Sequence, residues 1–202
     1  MNLKQLRYYV NLKLLNRNLS IVLVVLILIF LVPSTLTGCT SKVSSPASDQ
    51  NKTAASTSLN YDEMVHLDAE ELAEGGVESA YISLVPRLKK YVPGPAKVED
   101  VLDKDSGAYS VKYGDKQYHI SGSGIDEENS WGLATFAFFS IVNEELSRAN
   151  TEIRFYAING GNELGGMFLT EEQATDSREN LANKKDWPYL PTKDAPWFGQ
   201  SH

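Results

Sequence analysis

The chain of 202 residues contains little cysteine and little histidine, and both shortages restrict what the protein can be. Cys39 is its single cysteine, so no disulfide can form within one chain and the fold must be held by packing. The three histidines, His66, His119 and His202, do not pair at a metal-binding spacing. We therefore expect no metal site and no cofactor.

The sequence also lacks the motifs of the common enzyme classes. It contains neither the H-E-x-x-H of zinc proteases nor the G-x-S-x-G of serine hydrolases. The glycine pairs Gly160-Gly161 and Gly165-Gly166 match neither a dinucleotide-binding fingerprint nor a phosphate-binding loop. We interpret the first pair as a turn and the second as a strand bulge or the close approach of another backbone or ligand. The sequence therefore favours a non-catalytic protein.

A catalytic group could still be assembled around His119. Ser121 or Ser123 offers a hydroxyl and Asp126 a carboxylate, which are the residue types of a Ser-His-Asp triad. His119 and Ser121 share one face of a strand because side chains two residues apart do so in any strand. The spacing alone does not supply the geometry of a triad. His119, Ser121 and Asp126 are thus the catalytic candidates of an alternative interpretation, a periplasmic hydrolase.

Acidic residues are absent from residues 1–38, which carry four basic residues before an apolar run at 21–32. A membrane-spanning helix needs about 20 apolar residues, so this run of 12 is too short for a retained span. A basic region, a short apolar core and then small residues are the parts of an export signal. We predict that residues 1–38 are a signal peptide.

The residues that follow the apolar run, Leu36-Thr37-Gly38-Cys39, resemble the lipobox of bacterial lipoproteins. The resemblance implies cleavage before Cys39 and attachment of acyl chains such as palmitate, so that the mature protein is held on a membrane. It places the protein in the bacterial cell envelope. Thr40 replaces the aspartate associated with inner-membrane retention, which implies the outer membrane, facing the periplasm, if the source is Gram-negative.

The remaining chain is strongly acidic. Residues 39–202 hold 15 basic and 26 acidic residues, a formal charge of −11. Such a chain repels phosphate backbones and anionic lipids, so nucleic acid is excluded as a partner and the lipid on Cys39 is the expected membrane contact. A basic protein is the partner that this charge favours.

Residues 39–60 and 61–202 differ in composition. Nine of the residues at 40–60 are Ser or Thr and none is aromatic, which predicts a flexible tether behind the lipidated cysteine. Residues 61–202 are enough for one domain with its own core. We expect a single α+β domain with an antiparallel sheet of about four to five strands and three helices, in the order α-β-β-β-α-β-β-α.

The clearest local prediction is a hairpin with strands at 109–113 and 116–120. The two-residue loop Gly114-Asp115 has the leading glycine of a type II′ turn. This loop pairs Tyr113 with Lys116 at the turn and Tyr109 with Ile120 at the open end. The aromatic and aliphatic residues then share one face, and His119 lies on the polar face.

Aromatic residues are concentrated in the last part of the chain, at Trp187, Tyr189, Trp197 and Phe198. They predict either an arm packed over the core or an exposed surface that binds a protein or a glycan. Residues 160–170, together with 186–189, resemble proteins of uncharacterised bacterial families, and this resemblance implies no activity.

The sequence as a whole predicts a lipid-anchored envelope protein whose domain is a non-catalytic binding or protective module. An inhibitor or immunity-like protein that uses its acidic surface against a basic partner is the concrete version of this prediction. A periplasmic hydrolase and a structural envelope component are the alternatives.

Overall fold

The computed structural model describes residues 59–202, so the predicted signal peptide, Cys39 and most of the predicted tether lie outside the described residues. Leu59, at the start of the described residues, is already buried. None of the helices in the described part of the chain combines the length and the apolar character that a membrane span requires.

The domain has the predicted α+β architecture, with three helices and antiparallel strands. The helices are α1 (Val77–Leu88), α2 (Glu127–Arg148) and α3 (Glu171–Asn180). The strands are β1 (Val65–His66), β2 (Val98–Leu102), β3 (Tyr109–Tyr113), β4 (Lys116–Ser121), β5 (Arg154–Ile158) and β6 (Gly165–Leu169). The six strands form two three-stranded sheets, ordered β1-β6-β5 and β2-β3-β4, where one sheet of four to five strands was expected.

Helix α1 is preceded by a separate helical turn, Ala69–Glu71, as the glycine pair at 75–76 predicts. Asp68 caps this turn, since its Oδ1 accepts hydrogen bonds from the backbone N–H groups of Glu70 and Glu71. Gly75 then adopts a φ of 103°, which breaks the helical path. The apolar face of α1 is buried at Val77, Tyr81, Leu84 and Leu88.

A reciprocal pair of hydrogen bonds fastens the start of α1 to β2. The Glu78 N–H donates to both carboxylate oxygens of Asp100 at 3.1 Å, and the Asp100 N–H donates to Glu78 Oε2 at 3.1 Å. The Tyr109 hydroxyl donates to the same Asp100 carboxylate at 2.6 Å. Burial raises the pKa of the Asp100 carboxyl, while these hydrogen bonds oppose the rise. The carboxylate of Asp100, a residue of β2, thus caps the first turn of helix α1.

The β3–β4 hairpin has the predicted register near its turn, where Tyr113 pairs with Lys116 and Gly114 has a φ of 60°. The prediction for the open end is wrong, because Tyr109 pairs with Ser121 and not with Ile120. The register shifts between Tyr109 and Ser110, so one extra residue of β4 is accommodated there.

Helix α2 passes through the main core, with buried residues around most of its circumference. Its phenylalanines meet β5 and β6 in an aromatic cluster. The Phe155 ring stacks on Phe139 at a centroid distance of 4.9 Å and lies 4.6 Å from the Phe168 ring. A second, smaller core on the other face of the β1-β6-β5 sheet contains Tyr156, Ile158, Met167, Leu169 and Ala174.

The glycine pair of β6 sits in a regular strand, paired with β1 on one side and β5 on the other. No bulge forms, and the groups that closely approach the two glycines are side chains, where the prediction named a backbone or a ligand. A Cβ on Gly166 would lie 2.1 Å from Phe155 Cζ, and one on Gly165 would lie 2.6 Å from Met64 Sδ. Both positions need glycine because a neighbouring side chain occupies the space.

Helix α3 begins at a capping box, the local sequence Thr170-Glu171-Glu172-Gln173. The Gln173 N–H donates to Thr170 Oγ1, and the Thr170 N–H donates to Gln173 Oε1. The helix ends at Asn180.

Candidate functional site

The three catalytic candidates do not come together. His119 is exposed on β4, and Ser121 lies half-buried at the end of that strand. Asp126 caps α2, where its carboxylate accepts hydrogen bonds from the N–H and the Nδ2 of Asn129 at 2.8 and 2.9 Å. No hydrogen bond links any two of these three candidates within residues 59–202. Ser123, the alternative hydroxyl, is exposed in the loop before α2.

Replacing His119 with alanine should leave the free energy of unfolding within about 0.5 kcal/mol of the parent, because the side chain is exposed and on the polar face of the hairpin. Urea unfolding measures this change. Ile120→Ala is the matched control, since Ile120 is fully buried next to it and its truncation should cost about 2–5 kcal/mol. Equal losses in both variants would contradict the assigned face of β4.

The aromatic segment at residues 187–198, which we call the arm, packs on the domain. The backbone of Tyr189 pairs with Ala157 of β5 through two hydrogen bonds of 2.8 and 2.9 Å, and its hydroxyl donates to the Asn159 carbonyl at 2.8 Å. Phe198 is buried so closely against α2 that a Cβ on Gly132 would lie 2.2 Å from its ring.

The other two aromatic residues of the arm are more accessible. Trp197 is 51% exposed and stacks on His202 at 4.2 Å, and Trp187 is half-buried with its Nε1–H bonded to the Leu181 carbonyl. Tyr189 and Phe198 therefore serve packing, and Trp197 is the member that could meet a partner. Partner binding by this segment stays a prediction.

The arm also helps to close the outer edge of β5. The side chain of Asn143 in α2 bonds both backbone groups of Phe155, as the backbone of a neighbouring strand would. Its Nδ2 donates to the Phe155 carbonyl at 2.9 Å, and its Oδ1 accepts from the Phe155 N–H at 2.7 Å. Tyr189 does the same for Ala157 with its own backbone. An edge whose backbone groups are satisfied in this way does not invite pairing with another chain.

A polar cleft of about 580 Å³ opens between the segment around β1 and helix α1. Asp68 and Glu71 line it, together with the exposed hydroxyls of Ser79 and Ser83, which lie one helical turn apart on α1. Arg87 also lines the cleft, where its Nη1 donates to the Glu63 carbonyl at 2.9 Å. We call this space the acidic cleft.

The acidic cleft lies in the most acidic part of the described chain. Residues 59–202 contain 13 basic and 25 acidic residues, a formal charge of −12. Within residues 61–78 there are seven carboxylates and no Lys or Arg. They belong to Asp62, Glu63, Asp68, Glu70, Glu71, Glu74 and Glu78. We call residues 61–78 the acidic segment.

The structure also buries a carboxylate that the sequence analysis missed. Glu145 of α2 is 2% exposed, and its oxygens accept hydrogen bonds from the Tyr113 hydroxyl, the Ala96 N–H and the Arg148 Nη1. The sequence signal for it is helical spacing, because Glu145 follows the apolar Ile141 and Val142 by four and three residues and so lies on their face of the helix. Because its side chain is buried and three hydrogen bonds engage its oxygens, this carboxylate serves the core.

The hydroxyl of Tyr81 lies in the same buried region. Within the described residues it makes no hydrogen bond, and burial, with the neighbouring Glu145 carboxylate, raises the pKa of this phenol. Residues 59–202 contain no cluster of three or more His, Cys, Asp and Glu side chains arranged to hold a metal ion.

Comparisons with protein-family models, with curated proteins and with solved structures found no match to this chain. The functional conclusion therefore rests on the sequence and on the geometry of the domain.

Proposed function

We propose that the protein is a lipid-anchored component of the bacterial envelope whose domain is a non-catalytic binding or protective module for a basic protein. The observation that carries the proposal is the acidic segment, with seven carboxylates and no basic residue, beside an open polar cleft. The anchor is inferred from the lipobox-like residues that end at Cys39.

The exposed carboxylates of the acidic segment are available to a partner, whereas those of Asp68 and Glu78 accept hydrogen bonds from backbone N–H groups. The ion pairs among residues 59–202 are Lys97–Glu99, Lys116–Glu144 and Arg148–Glu145, so none of them involves this segment. Asp62, Glu63, Glu71 and Glu74 are exposed. Uncompensated surface charges of one sign attract an oppositely charged partner and speed its association.

The described geometry supports binding over catalysis for two reasons. The catalytic candidates remain separate, and the carboxylates of Asp126 and Glu145 are already committed to a helix cap and to the core. The acidic cleft offers hydroxyls and carboxylates, which suit hydrogen bonding to the ammonium and guanidinium groups of a basic protein.

Neutralising the acidic segment should weaken capture of the partner. The variant is Glu71→Gln with Glu74→Gln, and the matched control is Glu127→Gln with Glu128→Gln, an equal charge change at exposed glutamates of α2. The full chain is cross-linked in envelope extracts, and the protein attached to it is identified and purified. This protein is then titrated against the parent chain and against each variant. We expect a basic protein whose affinity falls about fivefold in the first variant and little in the control.

The dependence of the affinity on salt concentration provides a second test of the same interaction. Exposed charges more than about 8 Å apart are largely screened at physiological ionic strength, so affinity should decrease as salt increases. A partner that is acidic, or a glycan whose affinity depends neither on salt nor on Glu71 and Glu74, would contradict the proposal.

A further inference from the structure

The two edges of the β1-β6-β5 sheet differ. The edge at β5 is closed by Asn143 and by the arm. Strand β1 forms the opposite edge, and within residues 59–202 no other strand pairs with its outer side. Unpaired N–H and C=O groups on such an edge are a template for pairing with another chain. The outer side of β1 is therefore the place where this sheet can take an added strand.

The register of β1 identifies which backbone groups point outward. The Leu67 N–H donates at 2.8 Å to the carbonyl of Leu164, which directly precedes β6. Val65, two residues earlier, pairs with Gly166. Bonded positions alternate in an antiparallel pair, so Val65 and Leu67 bond the β6 side, and His66 directs its N–H and C=O to the outer side. Among the described residues neither group of His66 has a hydrogen-bond partner there.

Helix α1 lies on this open side of β1. The Arg87 Nη1 donates to the Glu63 carbonyl at 2.9 Å and to the Met64 carbonyl at 3.5 Å. Met64 is extended and lies two residues before His66, so its carbonyl also points outward. The acidic cleft is lined by His66 and Asp68 on one side and by residues of α1 on the other. It is thus the groove beside the open edge.

The open part of the edge is short and has two closed ends. At one end Arg87 occupies the Met64 carbonyl, and at the other the Asp68 carbonyl accepts the Leu72 N–H of the helical turn. Between them, the N–H and C=O of His66 and the N–H of Asp68 have no hydrogen-bond partner in the part of the chain that the structure describes. The cleft volume of about 580 Å³ is within the range of about 300–1,000 Å³ that ligand sites occupy, which suits a few residues of extended chain.

The side chains around the groove favour a basic segment. Glu71 lines it and is exposed, and Asp68, whose Oδ1 caps the helical turn, adds a second carboxylate held in a fixed position. The exposed hydroxyls of Ser79 and Ser83 add hydrogen-bond acceptors along α1. The Arg87 guanidinium also lines the cleft, but it is bonded to main-chain carbonyls at the closed end.

We propose that an extended, basic segment of the partner protein adds to β1 as a fourth strand, in the acidic cleft. Its backbone pairs with His66 and Asp68, and a lysine or arginine side chain contacts the Glu71 carboxylate. In strand addition the main-chain hydrogen bonds supply affinity, and the side chains that flank the groove supply specificity. This mode of binding rests on the proposed function, which supplies the basic partner.

The first test uses the full chain in detergent and the peptide acetyl-Lys-Val-Lys-Val-Lys-amide, followed by two-dimensional NMR. We expect saturable shifts around His66 and Ser79, and slower hydrogen exchange of the His66 N–H. The same peptide N-methylated at its three central residues keeps its charge and loses backbone donors, so it should bind about tenfold more weakly. The acidic peptide acetyl-Glu-Val-Glu-Val-Glu-amide should not bind.

The second test changes the edge itself. His66→Pro removes the outward N–H, which is not bonded to β6, so the variant should keep the parent melting temperature. It should bind the basic peptide, and the purified partner, about tenfold more weakly. His66→Ala keeps the N–H and is the matched control, with parent-like binding expected. If His66→Pro does not fold, the N-methylated peptide gives the same readout on the parent chain.

Absence of saturable shifts, equal binding of the methylated and unmethylated peptides, or parent-like peptide affinity of the folded His66→Pro chain would each overturn strand addition. A basic partner that depends on Glu71 and Glu74 but binds the His66→Pro chain like the parent would also overturn it, and would leave the proposed function standing. An acidic partner would instead overturn the proposed function, and the peptide titrations would still decide whether the edge of β1 accepts a strand.

Discussion

Replacing Cys39 with alanine should abolish lipid attachment and move the protein from the membrane to the soluble fraction. Acyl chains contribute about 0.8 kcal/mol per buried CH₂, and a mature chain with a formal charge of −11 has no basic surface excess to hold it on anionic lipids. Cell fractionation and intact-mass spectrometry measure the two effects together. The expected result is complete loss of the lipid-modified mass.

Ser41→Ala is the matched control for this change, because it alters a neighbouring residue and keeps the thiol. It should remain lipidated and membrane-bound. If the Cys39→Ala protein stayed in the membrane as an uncleaved, unmodified chain, residues 21–32 would be acting as a retained anchor, and the lipoprotein interpretation would fail.

Replacing Gly166 with alanine should destabilise the domain by about 3 kcal/mol. The new methyl group would lie 2.1 Å from Phe155 Cζ, and the Phe155 ring is held between Phe139 and Phe168 at centroid distances of 4.9 and 4.6 Å. Closely packed cores accommodate extra methyl groups poorly, at a cost of about 1–3 kcal/mol and sometimes more. We expect the upper part of this range because the ring is fully buried.

The free energy of unfolding, measured in urea, tests this expectation. Gly94→Ala provides the control, since no heavy atom lies within 4 Å of its added Cβ and its φ is not in the left-handed region. That variant should stay within about 0.5 kcal/mol of the parent. Parent-like stability of Gly166→Ala would show that the Phe155 ring can move aside, and the aromatic cluster would then be less rigid than described.

Local patterns predicted the local structure well. The capping box of α3, the break before α1 and the hairpin turn each depend on a few neighbouring residues, and all are present. Division into two sheets depends on contacts between distant segments, which the sequence pattern does not encode. Strand β1 has two residues, too few to show an alternating pattern, yet it completes one of the sheets.

The candidate sites were harder to predict for the same reason. The lipobox-like residues and the acidic segment are continuous in sequence and can be recognised there. The acidic cleft is lined by residues of β1 and of α1, so its walls come together only in the folded chain. The reciprocal hydrogen bonds between Asp100 and Glu78 likewise form only when β2 and α1 are packed together, so neither carboxylate can be recognised as a cap from the sequence.

The closed edge of β5 implies an order of events while the chain is being synthesised or exported. Asn143 precedes β5 in the chain and can cover Phe155 as soon as that strand forms. Tyr189 comes much later, so the peptide groups of Ala157 stay open until the arm emerges. During that interval the nascent domain carries an unpaired strand edge, a feature that promotes association between unfinished chains. Premature termination before Tyr189 would make that temporary edge permanent.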